Sequence, residues 1–456
     1  MLVSSFIIFL VYTAFNKLQP HIISRLGILS ILLTLIIFIT SYDTLYLDNL
    51  SLFNNWFKLT YQSIPLIILS LLLTSILLIY NTIKVRYDIS SPYLILIILA
   101  NLTGIVLLPL VNDLIVLYIV IELQSYALYI LTGLHNKSYN ATRAGLLYFL
   151  TGGIASALIL LASYYLYYIT GSTNISDINI YISAASINTE SIIYINILLL
   201  ALMFKMGLAP LHQWSIAVYN YAPTYITAYI SIIAKVAIIG FIFVNWSLFN
   251  CDIIWLFFYS SLIIASYKPL FNVNIKVILA YSGILNIGYL LLAISTYDIS
   301  MYIYLLQYIL THICIFISIL CMSEYTDKPV TKWSPIIYLN QLAVPNKTLS
   351  IILIVCLFSL IGIPPLPGFY AKYYILINAI GNNYILESII LIICSVLGTY
   401  YYASIVKGIM PALLLNNNYN IINSSLSYIL STIIILIITF YIYIPYLLEG
   451  LLIFIL

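Results

Sequence analysis

The sequence predicts an all-α, polytopic membrane protein with about 14 transmembrane helices. Of its 456 residues, 64% are hydrophobic and only 6% are charged, and the mean hydropathy is +1.13. A soluble domain carries about 25% charged residues. Fourteen apolar stretches are long enough to cross about 30 Å of hydrocarbon. The first stretch has neither a basic segment nor a small-residue cleavage site, so we expect it to be retained as a helix.

The predicted spans follow one another along the whole chain. They lie near 1–16, 26–42, 62–80, 92–111, 113–133, 144–169, 191–208, 223–246, 253–268, 275–296, 299–322, 347–380, 387–409 and 426–449. The twelfth contains an interruption.

Basic residues gather in alternate loops, which supports this helix count. Odd-numbered loops hold 12 of the 16 basic residues, whereas even-numbered loops hold only Lys58. The twelve are Lys17, Arg25, Lys84, Arg86, Lys137, Arg143, Lys268, Lys276, Lys328, Lys332, Lys347 and Lys407. Lysine and arginine collect on one side of a membrane. The odd-numbered loops are therefore expected to face the positive-inside compartment, and both termini to face away from it.

Two short motifs recur at nearly the same spacing, which indicates an internal repeat. The stretch that begins at Tyr148 resembles the one at Tyr308, 160 residues later, and GLAPL at Gly207 resembles GIPPL at Gly362, 155 residues later. Each pair is five helices apart, so the two copies cross the membrane in opposite directions. Inverted repeats are typical of transporters with broken helices. The predicted regions are three N-terminal helices at 1–91, a first five-helix repeat at 92–246, an inverted repeat at 253–409 and a C-terminal helix at 426–456.

Four charged residues are predicted near the middle of the membrane: Glu122, Lys205, Lys235 and Lys372. Glu122 lies nine residues, about 13 Å of helix rise, beyond the loop residue Asp113. Four such charges cost on the order of 10 kcal/mol unless they pair or contact water. A Glu–Lys salt bridge that only fixes helix packing is one interpretation. One glutamate does not neutralise three lysines, however, so at least one lysine must share a proton, contact water or be neutral.

Glycines and prolines predict breaks in the seventh and twelfth helices. The residues concerned are Gly207, Pro210, Gly362, Pro364 and Pro365. Proline has no backbone N–H, so the carbonyls of Met206, Leu360 and Ile361 lose their helical donors. Free carbonyls at membrane depth are tolerated only where they face protein or a water-filled cavity. A packing kink is the alternative, but a buried lysine accompanies each break, which favours an opening through which protons enter.

Two histidines are further candidates for proton transfer. His312 lies within the eleventh span and His212 follows the break at Pro210. The usual pKa of histidine suits proton transfer, although either side chain can equally be a hydrogen-bonded structural residue.

The sequence contains no motif typical of metal sites, redox cofactors or nucleic-acid binding. The five cysteines lack the paired spacing of zinc or iron-sulfur sites. There is no glycine-rich dinucleotide motif, and no basic stripe suited to nucleic acid. The sequence therefore predicts no metal, no redox cofactor and no nucleic-acid partner for this chain.

Three segments resemble a known family. They read ELQSYALYIL, FKMGLAPLHQWSIAVYNYAPTYITAYISIIAKVAIIGF and IGIPPLPGFYAKYYIL. Together they are similar to the antiporter-like membrane subunits of respiratory complex I, the NADH:ubiquinone oxidoreductase. The resemblance implies that Glu122, Lys205, Lys235 and Lys372 form the proton pathway. In this family, one of the three subunit types has lysine at the position of Lys372, and another has glutamate there. The resemblance therefore favours the type with lysine.

The resemblance also implies a cellular location and neighbouring subunits. The chain is expected in the mitochondrial inner membrane with both termini toward the intermembrane space, among lipids, small membrane subunits and a subunit-4-like antiporter subunit. NADH, FMN, iron-sulfur clusters and ubiquinone are expected on other subunits. Two alternatives stay open at this stage: a subunit of a multi-subunit sodium/proton antiporter, and a membrane scaffold that does not pump.

Overall fold

A computed structural model describes residues 1–15, 20–40, 49–83, 93–134, 138–184, 189–249, 252–322, 347–364 and 366–414. The predicted helix at 426–449 and Pro365 lie outside these residues. So do six of the basic loop residues, namely Lys17, Lys84, Arg86, Lys137, Lys328 and Lys332.

The described part of the chain is built from α-helices and one short β-hairpin. The helices of its first half are α1 (Leu2–Phe15), α2 (Pro20–Thr40), α3 (Ser63–Ile83), α4 (Tyr93–Leu107), α5 (Leu114–Gly133), α6 (Tyr139–Thr170), α7 (Ile175–Ala184) and α8 (Thr189–Met206). Those that follow are α9 (Gln213–Tyr221), α10 (Thr224–Val244), α11 (Trp246–Phe249), α12 (Ile253–Tyr267), α13 (Ile275–Ser295), α14 (Ser300–Met322), α15 (Lys347–Ile361), α16 (Pro367–Gly381) and α17 (Ile385–Leu414). Short 3₁₀ turns follow α4 and α12.

Nine helices within the described residues are long and apolar enough to cross a membrane. Four shorter apolar helices accompany them, at Leu2–Phe15, Ser63–Ile79, Ser191–Met206 and Lys347–Ile361. The predicted all-α, polytopic membrane fold is thereby confirmed. The total of 14 spans and their inverted-repeat relationship stay predictions.

Helix ends in the first half follow local capping chemistry. Asp113 precedes α5, and its Oδ1 accepts hydrogen bonds from the N–H groups of Ile115 (2.8 Å) and Val116 (3.3 Å). Such a side chain satisfies donors that the first helical turn leaves open. At the C-terminal end of α6, Gly171 adopts φ 73° and donates its N–H to the Tyr167 carbonyl. A left-handed residue at this position ends a helix, and glycine adopts it at little cost.

Two connections contain structure that the apolar pattern did not predict. The loop between α2 and α3 forms an antiparallel hairpin of β1 (Leu50–Leu52) and β2 (Phe57–Leu59), with Ser51 opposite Lys58. The connection between α6 and α8 contains the ten-residue helix α7. Both elements are too short and too polar in context to produce a membrane-span signal.

The contacts divide the chain into two compact units. The first comprises Met1–Trp214 and Ile233–Ile254, and the second comprises Ser215–Ile232 and Trp255–Leu456. In the first unit, α6 packs against both α5 and α8. In the second, α14 packs against α15 and α16, and α13 contacts α14, α16 and α17. The boundaries at 92–246 and 253–409 inferred from the repeat stay predictions.

Helix α13 lies inside the second unit. Every residue from Ile275 to Ser295 is buried. Apolar side chains suit lipid as well as a protein interior, so the burial of α13 results from its packing against α14, α16 and α17. Its few polar side chains are therefore enclosed.

Candidate functional site

The structure pairs two of the predicted charges. Glu122 lies on α5 and Lys205 in the last turn of α8, and the lysine Nζ is 3.2 Å from Oε1 of the glutamate. The side chains are only 10% and 8% exposed, respectively. Helix α6 packs against both parent helices and so fixes their separation. A buried ion pair of this kind replaces part of the hydration that each charge has lost.

A break in the helix lies directly beside this pair. Helix α8 ends at Met206, and α9 begins at Gln213. Gly207 has φ 70° and donates to the Phe204 carbonyl at 2.9 Å, while the N–H of Leu208 reaches the Met203 carbonyl at 3.2 Å. This pair of bonds is a Schellman motif, which needs a left-handed residue. Gly207 thus ends the helix through its left-handed conformation.

Polar side chains that follow the break contact nearby backbone carbonyls. The indole Nε1 of Trp214 donates to the Phe204 carbonyl at 3.1 Å, and Tyr148 stacks on the Trp214 ring at 5.2 Å. His212 is buried, with its Nδ1 3.2 Å from the Pro210 carbonyl. These contacts satisfy backbone polar groups at a depth where water is scarce.

Lys235 lies in the first unit, next to a polar contact of α5. Its side chain on α10 is 4% exposed. The preceding residue, Ala234, accepts a hydrogen bond from Gln124 Nε2 at 3.1 Å, and the Gln124 carbonyl accepts one from Asn101 at 2.7 Å. Gln124 is two residues from Glu122, so α4, α5 and α10 are linked by hydrogen bonds at the level of the buried carboxylate.

The second break surrounds Lys372. Helix α15 ends at Ile361, Gly362 adopts φ 93°, and α16 begins at Pro367. The Nζ of Lys372 donates to the carbonyls of Leu360 at 2.6 Å and Ile361 at 3.1 Å. These are the two carbonyls that proline was expected to free. The ammonium replaces the missing backbone donors, so lysine and break form one local structure.

His312 is also buried, on α14 in the second unit. Its ring lies 4.5 Å from that of Tyr308 and 6.4 Å from that of Phe316, one turn away on either side. These contacts are with residues of its own helix. A role for His312 or His212 in proton transfer stays a prediction.

The assignment of several basic residues to loops was wrong, and Lys276 departs furthest from it. Lys276 was counted among loop residues, but it lies in the first turn of α13 and is only 8% exposed. Its Nζ donates to the Ala222 carbonyl at 3.0 Å. Arg25, Arg143 and Lys407 also lie within helices, where their side chains are exposed. The apolar pattern places Lys276 at the edge of a span but carries no information about which element covers that edge.

Lys276 is therefore a further buried cation, at the end of the half-helix α9. Ala222 directly follows α9 and precedes Pro223. A cation near the carbonyl end of a helix is favourable, because the last carbonyls lack donors and carry partial negative charge.

We expect Lys276→Met to destabilise the folded protein by about 1–3 kcal/mol, because the Ala222 carbonyl is left buried without this donor. Lys276→Gln retains an amide donor and should lose less. The thermal unfolding midpoint of the purified protein measures this loss of stability, with exposed Lys268→Met as the control. A Lys276→Met midpoint equal to that of the control contradicts a capping role.

No group of three or more His, Cys, Asp or Glu residues suited to a metal ion occurs within the described residues. The arrangement instead offers buried ammonium groups, one carboxylate and interrupted helices. Such groups can bind and release protons inside a membrane.

The comparison with known families decides the class of protein. Residues 111–398 match the family described as NADH:quinone oxidoreductase/Mrp antiporter, membrane region. The chain belongs to this NADH:quinone oxidoreductase/Mrp antiporter family. The match contains Glu122, Lys205, Lys235 and Lys372.

Curated members of the family are similar over nearly the whole chain. NADH-ubiquinone oxidoreductase chain 2 of Debaryomyces hansenii is 49% identical over 453 residues, covering 98% of each chain. Its namesake in Candida albicans is 52% identical over 455 residues, covering 99% of this chain and 95% of that one. The resemblance drawn from the three sequence segments is thereby confirmed.

Solved structures of family members share the fold. A chain of respiratory complex I from Thermus thermophilus has a TM-score of 0.81 at 21% identity, with 99% of both chains covered. A chain of the Mrp complex from Dietzia sp. has a TM-score of 0.77 at 18% identity, covering 98% of this chain and 94% of that one. At these identities the likeness establishes the antiporter-like membrane fold alone.

Proposed function

We propose that the chain is the chain-2 subunit of mitochondrial NADH:ubiquinone oxidoreductase and moves protons across the inner membrane. Relatives with that name are 49% and 52% identical over almost the full length. The nine long apolar helices of the described residues support a multi-pass protein of this kind. Electron transfer from NADH to ubiquinone in other subunits supplies the energy.

The buried pair of Glu122 and Lys205 beside the α8–α9 break is the observation that carries this proposal. Opposite charges about 4 Å apart gain about 4 kcal/mol at an effective dielectric of 20. A movement that separates the two groups removes this stabilisation of the ammonium. The proton then passes to the next acceptor. Glu122 thus controls when Lys205 releases its proton.

Lys235 and Lys372 extend the path. Lys235 accepts the proton after Lys205, and Lys372 accepts it last. From Lys372 the proton leaves toward the intermembrane side. Contacts between Nζ of Lys372 and two backbone carbonyls support a site that holds a cation. His212 and His312 are secondary carriers.

Membership of the complex also implies the orientation of the chain in the membrane, the location of the cofactors and the neighbouring subunits. Both termini face the intermembrane space, and the odd-numbered loops face the matrix. NADH, FMN, iron-sulfur clusters and ubiquinone bind to other subunits. A subunit-4-like antiporter subunit, small membrane subunits and lipids are the neighbours.

Proton movement in inner-membrane vesicles that contain the assembled complex tests the proposal. We expect the movement to require NADH and ubiquinone, and the purified chain to be accompanied by FMN and iron. A sodium pulse that drives proton movement without NADH, from a complex without flavin, would instead identify a sodium/proton antiporter subunit.

A further inference from the structure

The ammonium of Lys372 has an aromatic neighbour in addition to its two carbonyls. Its Nζ lies 5.2 Å from the centroid of the Tyr289 ring, on α13. An ammonium within about 6 Å of a ring face is attracted by the ring quadrupole. A lysine carries three N–H donors, and the carbonyls of Leu360 and Ile361 accept two hydrogen bonds. The ring faces the cation from another helix of the same unit.

The glycine at the end of α15 leaves room for this arrangement. A Cβ at Gly362 would lie 3.3 Å from Cδ of Lys372. The φ of 93° at this residue is also one that side chains rarely adopt. Both the short distance to the Lys372 side chain and the positive φ favour glycine at position 362.

The Tyr289 ring is itself held in place. It stacks on the ring of Tyr304 with centroids 5.2 Å apart and planes 24° apart. The hydroxyl of Tyr304 donates to Oδ1 of Asn286 at 2.7 Å, and Nδ2 of Asn286 donates to the Ser282 carbonyl at 2.9 Å. Ser282, Asn286 and Tyr289 share one face of α13, because residues at i, i+4 and i+7 align on a helix. Both rings are buried, so their orientation is fixed by packing.

We propose that Tyr289 is a positioning residue for the proton site at Lys372. Its ring face and the carbonyls of Leu360 and Ile361 together hold the ammonium in the gap between α15 and α16. Among the described residues, the groups that contact the Lys372 ammonium are neutral, in contrast to the carboxylate that contacts Lys205. This inference rests on the proposed function, and it adds a residue that the charge pattern of the sequence does not reveal.

Substitutions at Tyr289 in the assembled complex separate the ring from the hydroxyl. Tyr289→Phe keeps the ring face, and we expect NADH-driven proton uptake within about twofold of wild type. Tyr289→Leu and Tyr289→Met remove the ring, and we expect uptake to fall about threefold to tenfold. Reduction of an artificial acceptor at the flavin measures the amount of assembled complex in each preparation. Tyr281→Leu, which removes another buried ring from α13, is the matched control and should stay near wild type.

Two results overturn the inference. One is normal proton uptake by an assembled Tyr289→Leu or Tyr289→Met complex, and the other is a loss in Tyr289→Phe as large as in Tyr289→Leu. Should Tyr289→Leu fail to assemble, Tyr289→Phe and Tyr289→Met decide, the latter because its unbranched side chain adapts more readily to an irregular space. Lys372→Met serves as the reference: if it abolishes uptake while Tyr289→Leu and Tyr289→Met stay near wild type, the inference alone fails. If Lys372→Met is also without effect, the proposed function fails with it.

Discussion

We expect the replacement of Lys205 by methionine to lower NADH:ubiquinone turnover at least about tenfold, which corresponds to a loss of roughly 1.4 kcal/mol or more of transition-state stabilisation. The substitution removes the proposed proton carrier and leaves Glu122 buried without its partner. Removing one member of a buried pair is also destabilising, by about 3–5 kcal/mol, so turnover must be expressed per assembled complex. Reduction of an artificial acceptor at the flavin provides that measure and should stay near normal.

Two further variants separate the lost carrier from the lost ion pair. Glu122→Gln removes the carboxylate but keeps the carrier, so its turnover should exceed that of Lys205→Met. Lys407→Met removes an exposed lysine of α17 and should match wild type. An assembled Lys205→Met complex with turnover equal to Lys407→Met contradicts the assignment of Lys205.

We expect the replacement of Lys372 by methionine to have the second large effect, again a loss of at least about tenfold in coupled turnover. The carbonyls of Leu360 and Ile361 then lose the donor that replaces the missing helical N–H groups. Each unsatisfied group costs about 1–3 kcal/mol, so the break between α15 and α16 is expected to rearrange as well.

Lys372→Arg distinguishes the structural role of this lysine from the proton-carrying role. Arginine retains a cation that can donate to both carbonyls, but its guanidinium does not release a proton in proteins. A purely structural role predicts that arginine restores turnover. The proposed relay predicts that it restores assembly and leaves turnover low. Turnover and complex content in membranes that carry Lys372→Met or Lys372→Arg give the comparison.

Most of the site could be predicted from sequence because its signals are local. A glutamate or lysine within an apolar stretch is conspicuous, since so few charges are present. Proline removes a known donor, so the free carbonyls of Leu360 and Ile361 could be named before the structure located Lys372 against them. The pairing of Glu122 with Lys205 was one of several combinations that the sequence permitted.

The remaining features depend on contacts between distant parts of the chain. The burial of Lys276 results from packing at the end of α9, which is 54 residues away along the chain. The ring of Tyr289 meets Lys372 only because α13 and α16 pack together. Tyrosine is abundant in this chain, with 44 residues, so a single functional ring has no distinguishing signal in the sequence. Long-range packing of this kind leaves no periodic trace.

The decisive measurement is the rate of NADH-driven proton movement and quinone reduction by an assembled Lys205→Arg complex. Arginine preserves the ion pair with Glu122, and therefore the packing of α5, α6 and α8, but it retains its proton. We expect an assembled complex in which the rates of proton movement and quinone reduction fall together. An assembled Lys205→Arg complex with wild-type turnover and an unchanged number of protons per NADH would show that the pair only holds helices together.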